Sequence, residues 1–176
     1  VLFIGCGKPE PQTAEESASP AAEPTEQFYE AALEGIVDVV KGEVDRGVDV
    51  NVRSKEGHTA LMLAAFNGQA DVAALLLDAG ADVSLKDGSG RTALMFASTG
   101  PSRATVELLL KHKAKVNEVD GGERWTPLMF AAAEGHTDVV AALLAAGADP
   151  GMQDTDGDSA RDFALQRGHK ALAERL

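Results

Sequence analysis

The sequence is poor in cysteine, aromatic residues, basic charge and long apolar runs, and each shortage removes a class of protein. One cysteine in 176 residues allows no intramolecular disulfide framework and no cysteine-rich metal site. Aromatics make up 5% of the chain, with one Trp, one Tyr and six Phe. A core must therefore be built from Ala, Leu and Val, which favours closely spaced helices over sheets packed around large rings. Lys and Arg number 16 against 28 Asp and Glu, a formal net charge of −12. Phosphate backbones and anionic lipid surfaces attract the opposite sign. Nucleic acid is thus excluded as a partner, and a membrane is reached only through an anchor. No stretch approaches the roughly 18–20 apolar residues of a bilayer-spanning helix.

What the sequence does have is an internal period. HTALMLAAFNGQADVAALLLDAGADV, RTALMFASTGPSRATVELLLKHKAKV and WTPLMFAAAEGHTDVVAALLAAGADP align on Thr59, Thr92 and Thr126, and Ser159 continues the series at spacings of 33, 34 and 33. The extra residue falls in Asp120–Gly121–Gly122–Glu123, where a loop insertion costs little. A degenerate copy, QFYEAALEGIVDVVKGEVDRGVDV, precedes the three, with Gly35 and Asp38 in register with Gly68 and Asp71. A shortened copy, SARDFALQRGHKALAERL, closes the chain.

In each unit the Thr stands where a helix N-cap belongs, and Pro127 occupies a first-turn position that needs no donor. A short Ala-rich helix follows, then a Gly, then a second helix ending at Gly80 or Gly147, where positive φ is wanted. ADVSLKDGSGR reads as a loop or hairpin turning at Gly90. One unit cannot bury its Leu/Val/Ala face alone, and stacked units can.

The period, the T-A/P-L opening, the A-A-x-x-G-H-x-D-V-V middle and the L-L-x-x-G-A-D-V ending resemble the ankyrin repeat over roughly residues 26–176. The resemblance implies an all-α solenoid of about five stacked helix-turn-helix units with projecting hairpin loops, divided as 26–58, 59–91, 92–125, 126–158 and 159–176. Three departures stand out. Met62, Met95 and Met129 replace the His that follows T-P-L in the family, which predicts apolar contact there in place of hydrogen bonding. Lys113 stands where the other units carry Gly80 and Gly147, at a cost of about 1 kcal/mol. Gly42 lies inside a second helix, also costing roughly 1 kcal/mol. The outer units are expected to fray first.

Residues 7–25, GKPEPQTAEESASPAAEPT, contain no apolar side chain larger than Ala, which predicts a disordered, extended tether. Before it, F-I-G-C resembles the lipobox of bacterial lipoproteins. Residues 1–6 would then be a signal-peptide remnant with Cys6 the lipidated residue, Gly5 the small residue before the cut, and Phe3 where Leu is commoner. The absence of an initiating Met fits missing upstream residues. Gly7 after the cysteine points to outer-membrane sorting and a periplasmic location, with more than one acyl chain giving stable anchoring. The alternative is a cytoplasmic ankyrin adaptor or regulator with a fortuitous lipobox.

Several motifs suggest chemistry and fall short of it. DTDGDSARD resembles a calcium loop, but Gly157 is fourth from Asp154 and Leu165 stands at the twelfth place, so a hairpin turn before Ser159 is preferred. His58, His112, His136 and His169 lie in different units or on different elements and suggest no metal site. GSGRT lacks the strand and Lys of a phosphate loop, and no nucleophile context surrounds any Ser. No catalytic residue, metal or cofactor is assigned. KHKAK at 111–115 is read as cations at a helix C-terminus. The unit 126–158 has six carboxylates and no Lys or Arg, an acidic end that a basic partner could read.

The function implied by the resemblance is non-enzymatic protein–protein interaction by a monomer, through the concave face made by hairpin tips and first helices. Carried over by register, that face includes Lys55, Glu56, His58, Phe66, Asn67, Ser89, Arg91, Thr99, Arg124, Trp125, Ala133, Glu134, Asp156 and Asp158. Phe66 and Trp125 are the anchor candidates. The resemblance also allows Trp125 to pack on a neighbouring hairpin: if it serves contact, Trp125→Ala abolishes binding and leaves unfolding nearly unchanged, and equal loss of both marks it as structural. An accessory subunit or inhibitor of an envelope enzyme would use the same surface.

Overall fold

The threonines that set the period begin helices. In the computed structural model, which describes residues 23–176, Thr59, Thr92 and Thr126 are the N-caps of α3 (Ala60–Phe66), α5 (Ala93–Ser98) and α7 (Pro127–Glu134), and Ser159 caps α9 (Ala160–Gln166). Each is followed by a second helix: α4 (Ala70–Asp78), α6 (Arg103–Lys111), α8 (Thr137–Ala145) and α10 (Lys170–Ala173). The degenerate first copy supplies α1 (Glu26–Glu34) and α2 (Val37–Asp45). Cys6 and almost all of the 7–25 segment lie outside the described residues. Thr25, assigned to the tether from sequence, instead occupies the N-cap position of α1, and its Oγ1 donates to Glu43 Oε1 at 2.9 Å.

The caps correct one expectation. Met62, Met95 and Met129 are each 1% exposed, as apolar packing requires, yet their sulfurs also accept the N–H of the capping Thr at 3.5, 3.4 and 3.3 Å. Thr59 and Thr126 return the bond by accepting the Met62 and Met129 N–H at 3.3 Å. A weak sulfur acceptor thus satisfies an N-terminal donor that burial would otherwise orphan. Thr92 keeps only half of the arrangement, since its Oγ1 is buried with no hydrogen-bond partner among the described residues. In the last unit Asp162 does the same job with a carboxylate, accepting the Ser159 N–H at 2.9 Å.

First helices stack in the order α1, α3, α5, α7, α9, and second helices form a parallel layer α2, α4, α6, α8. The core lies between and within these layers. Leu61, Leu94 and Leu128, at one register, and Leu76, Leu109 and Leu143, at another, are 0–1% exposed. Ala64, Ala65, Ala97, Ala131, Ala132 and Ala164 are equally buried, and their small side chains let neighbouring first helices approach closely. The described residues contain no strand; isolated bridges join Lys86 to Thr92 and Gln153 to Ser159 at two hairpin necks.

Helix ends follow the sequence with two additions. Gly47, Gly80 and Gly147 have φ of 79°, 92° and 90°, and Lys113 in the same register adopts 66° despite its side chain. In the third unit Pro101 stands where the others carry Gly35, Gly68, Gly135 and Gly168, all at positive φ. A proline cannot adopt that φ, and α5 stops early at Ser98. Gly42 sits exposed within α2, and a Cβ there would meet nothing within 4 Å. Gly42→Ala therefore raises stability by about 0.5–1 kcal/mol, read as a higher urea midpoint. A lowered midpoint would show that α2 needs the glycine.

Candidate protein-binding face

The hairpin tips are built by aspartates. Asp87 Oδ1 accepts the N–H groups of Ser89 and Arg91 at 2.9 and 2.8 Å. Asp154 Oδ1 does the same for Asp156 and Asp158 at 2.9 and 2.8 Å, and Asp120 Oδ1 accepts the Trp125 N–H at 3.0 Å. Asp154 is thereby committed to the turn, as the hairpin reading of DTDGDSARD requires. Among the described residues no three His, Cys, Asp or Glu side chains gather as metal ligands would. Burial pushes the Asp87 carboxyl up, but the Arg91 N–H, the Arg91 guanidinium and the Ser89 N–H outweigh it and hold the group below the usual carboxylate value. Arg91 Nε and Nη2 lie 2.9 and 2.8 Å from Asp87 Oδ2.

Adjacent tips are tied laterally. The Gly121 N–H donates to Ser89 O at 2.8 Å, and the Thr155 N–H donates to Glu123 O at 3.0 Å. Thr155 Oγ1 adds a bond to Glu123 Oε2 at 2.8 Å. Arg124 takes φ 66° at the register where the other tips carry Gly57, Gly90 and Gly157.

Behind the tips runs a row of aromatic rings. Phe96, Phe130 and Phe163 occupy the same register on α5, α7 and α9. His58 and Phe66 approach Phe96 edge-on at 5.4 and 6.3 Å, and Arg91 Cζ lies 4.5 Å from its ring centre. Trp125 packs on Phe130 at 5.1 Å and on Phe163 at 4.2 Å. Between the second and third hairpins opens a groove of about 870 Å³, lined among others by Arg91, Ser89, Gly121, Glu123, Trp125 and Phe130.

The predicted face residues fall into distinct settings. Lys55 and Glu56 are exposed at the first tip, where Lys55 pairs with Glu26 at 3.2 Å in full solvent, an interaction worth little. Phe66 is 48% exposed, an unusual value for Phe. Asn67 is exposed and its amide donates to Leu33 O at 3.0 Å. Ser89, Arg124, Glu134 and Asp156 are exposed; His58, Arg91, Trp125 and Asp158 are partly buried. Thr99 is partly buried, its Oγ1 donating to Phe96 O at 2.8 Å. Ala133 is a correction: at 5% exposure its methyl lies in the core, so it leaves the face. Trp125, for which the sequence left contact and packing both open, packs through its stacking on Phe163 and still lines the groove.

Sequence reasoning missed the polar ties between units. The residue after each inter-helix turn reaches back to a carbonyl of the preceding unit. Gln69 donates to Leu33 O at 3.3 Å, Ser102 to Gly68 O at 3.3 Å, His136 to Thr99 O at 3.1 Å and His169 to Ala133 O at 3.2 Å. Asn51 donates to Gly80 O at 3.2 Å and accepts the Asp82 N–H at 2.7 Å. Asn117 repeats this with Gly147 and Asp149 at 3.1 and 2.9 Å. The shared register of the two asparagines was the available signal.

Known proteins agree with this architecture. A family profile described as Ankyrin repeats (3 copies) matches residues 28–120 and 104–176. ARF GTPase-activating protein GIT1 of Homo sapiens is 49% identical over 51 residues, 29% of this chain and 7% of that protein. ARF GTPase-activating protein GIT2 of Mus musculus is 47% identical over 51 residues, again 29% and 7%. Glycerophosphocholine phosphodiesterase gde1 of Schizosaccharomyces pombe is 42% identical over 52 residues, 30% and 5%. The matched segments thus span only 5–7% of these relatives. Such short matches bring over the repeat and not the whole relatives' activities. With capped helix pairs stacked at the repeat period and the profile running from residue 28 to the last residue, the chain belongs to the ankyrin-repeat family and is a protein-interaction module.

Proposed function

We propose that the protein is a non-enzymatic, monomeric binding module held at the bacterial cell envelope by a lipid on Cys6, on the periplasmic side of the outer membrane, and that its hairpin face receives the partner. The observation that carries the binding reading is the face itself. Its second, third and fourth tips are hydrogen-bonded to one another, while Phe66 stands about half exposed and Trp125 lines an open groove. Large rings kept partly in water at the rim of a concavity are what protein interfaces use as anchors. The anchoring reading rests on the F-I-G-C run and on the Pro/Ala/Glu-rich segment after it.

The test is incorporation of a clickable palmitate analogue when the full-length gene, with its upstream codons, is expressed in a Gram-negative host. Cys6-dependent label, lost in Cys6→Ser, together with membrane fractionation, is the expected result. No label in either form would return the protein to the cytoplasm as an adaptor and end the envelope reading.

A further inference from the structure

We infer that the groove between the second and third hairpins takes a basic segment of a partner protein, with an apolar side chain of that segment seated against Trp125 and its Lys or Arg side chains meeting Glu123 and Asp156. This deepens the reading of the hairpin face as a binding surface and rests on it.

The cations around the groove are already committed. Arg91 is held by Asp87 and stacked over Phe96, and Lys86 pairs with Glu118 at 2.6 Å. Asp87 is spent on Arg91, but among the described residues the carboxylates of the third and fourth tips are not committed to any cation. Asp120 accepts a neutral backbone N–H and Glu123 a neutral hydroxyl, bonds that orient a carboxylate and leave its charge uncompensated. The Thr155–Glu123 contact brings the next tip alongside, and with it Asp154, Asp156 and Asp158, none of which forms an ion pair among the described residues. Arg124, exposed at the same tip, offsets one of these charges. The fourth unit adds no Lys or Arg from 126 to 158. The apolar floor is Trp125 over Phe130, open on the groove side. An acidic segment entering here would add like charge within a Debye length of about 8–10 Å. A basic one gains attraction and speeds its own encounter.

The experiment titrates the full chain with short synthetic peptides and reads the emission of Trp125, the only Trp in the sequence. Three peptides are compared, alternating Leu with Lys, Leu with Glu, and Ser with Lys. The Leu/Lys peptide gives a saturable blue shift, weakened about tenfold between low and physiological salt and about tenfold in Glu123→Lys/Asp156→Lys. Both positions are exposed, and matching circular-dichroism melts confirm that the variant is folded; the salt titration tests the unaltered chain independently. Leu/Glu gives no shift, and Ser/Lys binds without moving the emission. An equal shift from Leu/Glu would overturn the basic occupant while leaving the face a binding surface. No shift from any peptide, or a shift indifferent to both salt and charge reversal, would overturn the inference outright. The Cys6 label reads the anchoring claim separately.

Discussion

Gly90→Ala lowers the stability of the array by about 3 kcal/mol, more than any other hairpin glycine. Gly90 has φ +76°, a conformation that costs an L-residue about 1–2 kcal/mol. A Cβ there would also lie 2.4 Å from Gly121 N and 2.8 Å from Gly121 Cα. Those are backbone atoms of the neighbouring tip, which cannot swing aside as a side chain would, and such overpacking adds about 1–3 kcal/mol. Moving the tips apart releases the Gly121–Ser89 bond, a further loss of about 1 kcal/mol that substitutes for part of the clash. Gly57 and Gly157 provide the control. They hold the same register, with φ of 86° and 89°, and a Cβ at either meets nothing within 4 Å. Alanine there costs only the backbone component, about 1 kcal/mol. Urea unfolding of the three variants measures the difference. Equal losses at all three positions would mean that the approach of the two tips contributes nothing.

Trp125→Ala costs about 2–3 kcal/mol, less than the 3–5 typical of a fully buried ring because the indole keeps one side in water. The loss is uneven along the chain. Trp125 precedes the first helix of the fourth unit but stacks at 4.2 Å on Phe163, in the fifth, so truncation loosens the last unit from the array. Amide exchange in α9 and α10 accelerates while α3 and α4 stay protected, and Trp125→Phe restores most of the protection by keeping the ring contact. Unchanged exchange in α9 would show that the stacking is incidental. Because this residue serves both packing and the groove, its alanine variant does not isolate binding, and the exposed carboxylates at 123 and 156 are the cleaner probes.

How far the sequence carried the fold follows from what each signal encodes. Thr59, Thr92, Thr126 and Ser159 were readable as caps because capping is local chemistry within one turn, and the left-handed Lys113 because its register partners are glycines. Pro101 carries a signal of the same local kind: it cannot take the positive φ of its register partners, and α5 ends early at Ser98. The Met sulfurs were misjudged in part because a side chain chosen for bulk also found a donor within reach, which depends on the rotamer and not on residue type. Burial of Ala133 and the particular rings that Trp125 meets depend on how the next unit seats, and no local pattern reports that. The same holds for the bonds from Gln69, Ser102, His136 and His169, made by four side chains of three residue types through one geometric position.

Those interunit bonds also set how the chain reaches its folded state. The bonds made by Asn51, Gln69, Ser102, Asn117, His136 and His169 join residues 29 to 37 apart, each linking a unit to its neighbour. Closing loops so similar in length costs nearly the same entropy each time, differing by only a few tenths of a kcal/mol. Among the described residues no distant strand must be awaited before neighbouring pairs can dock. A unit emerging during synthesis can therefore settle on its predecessor as soon as its own helices have formed. Growth then proceeds in the direction of translation, with at most one unit's apolar face uncovered at a time.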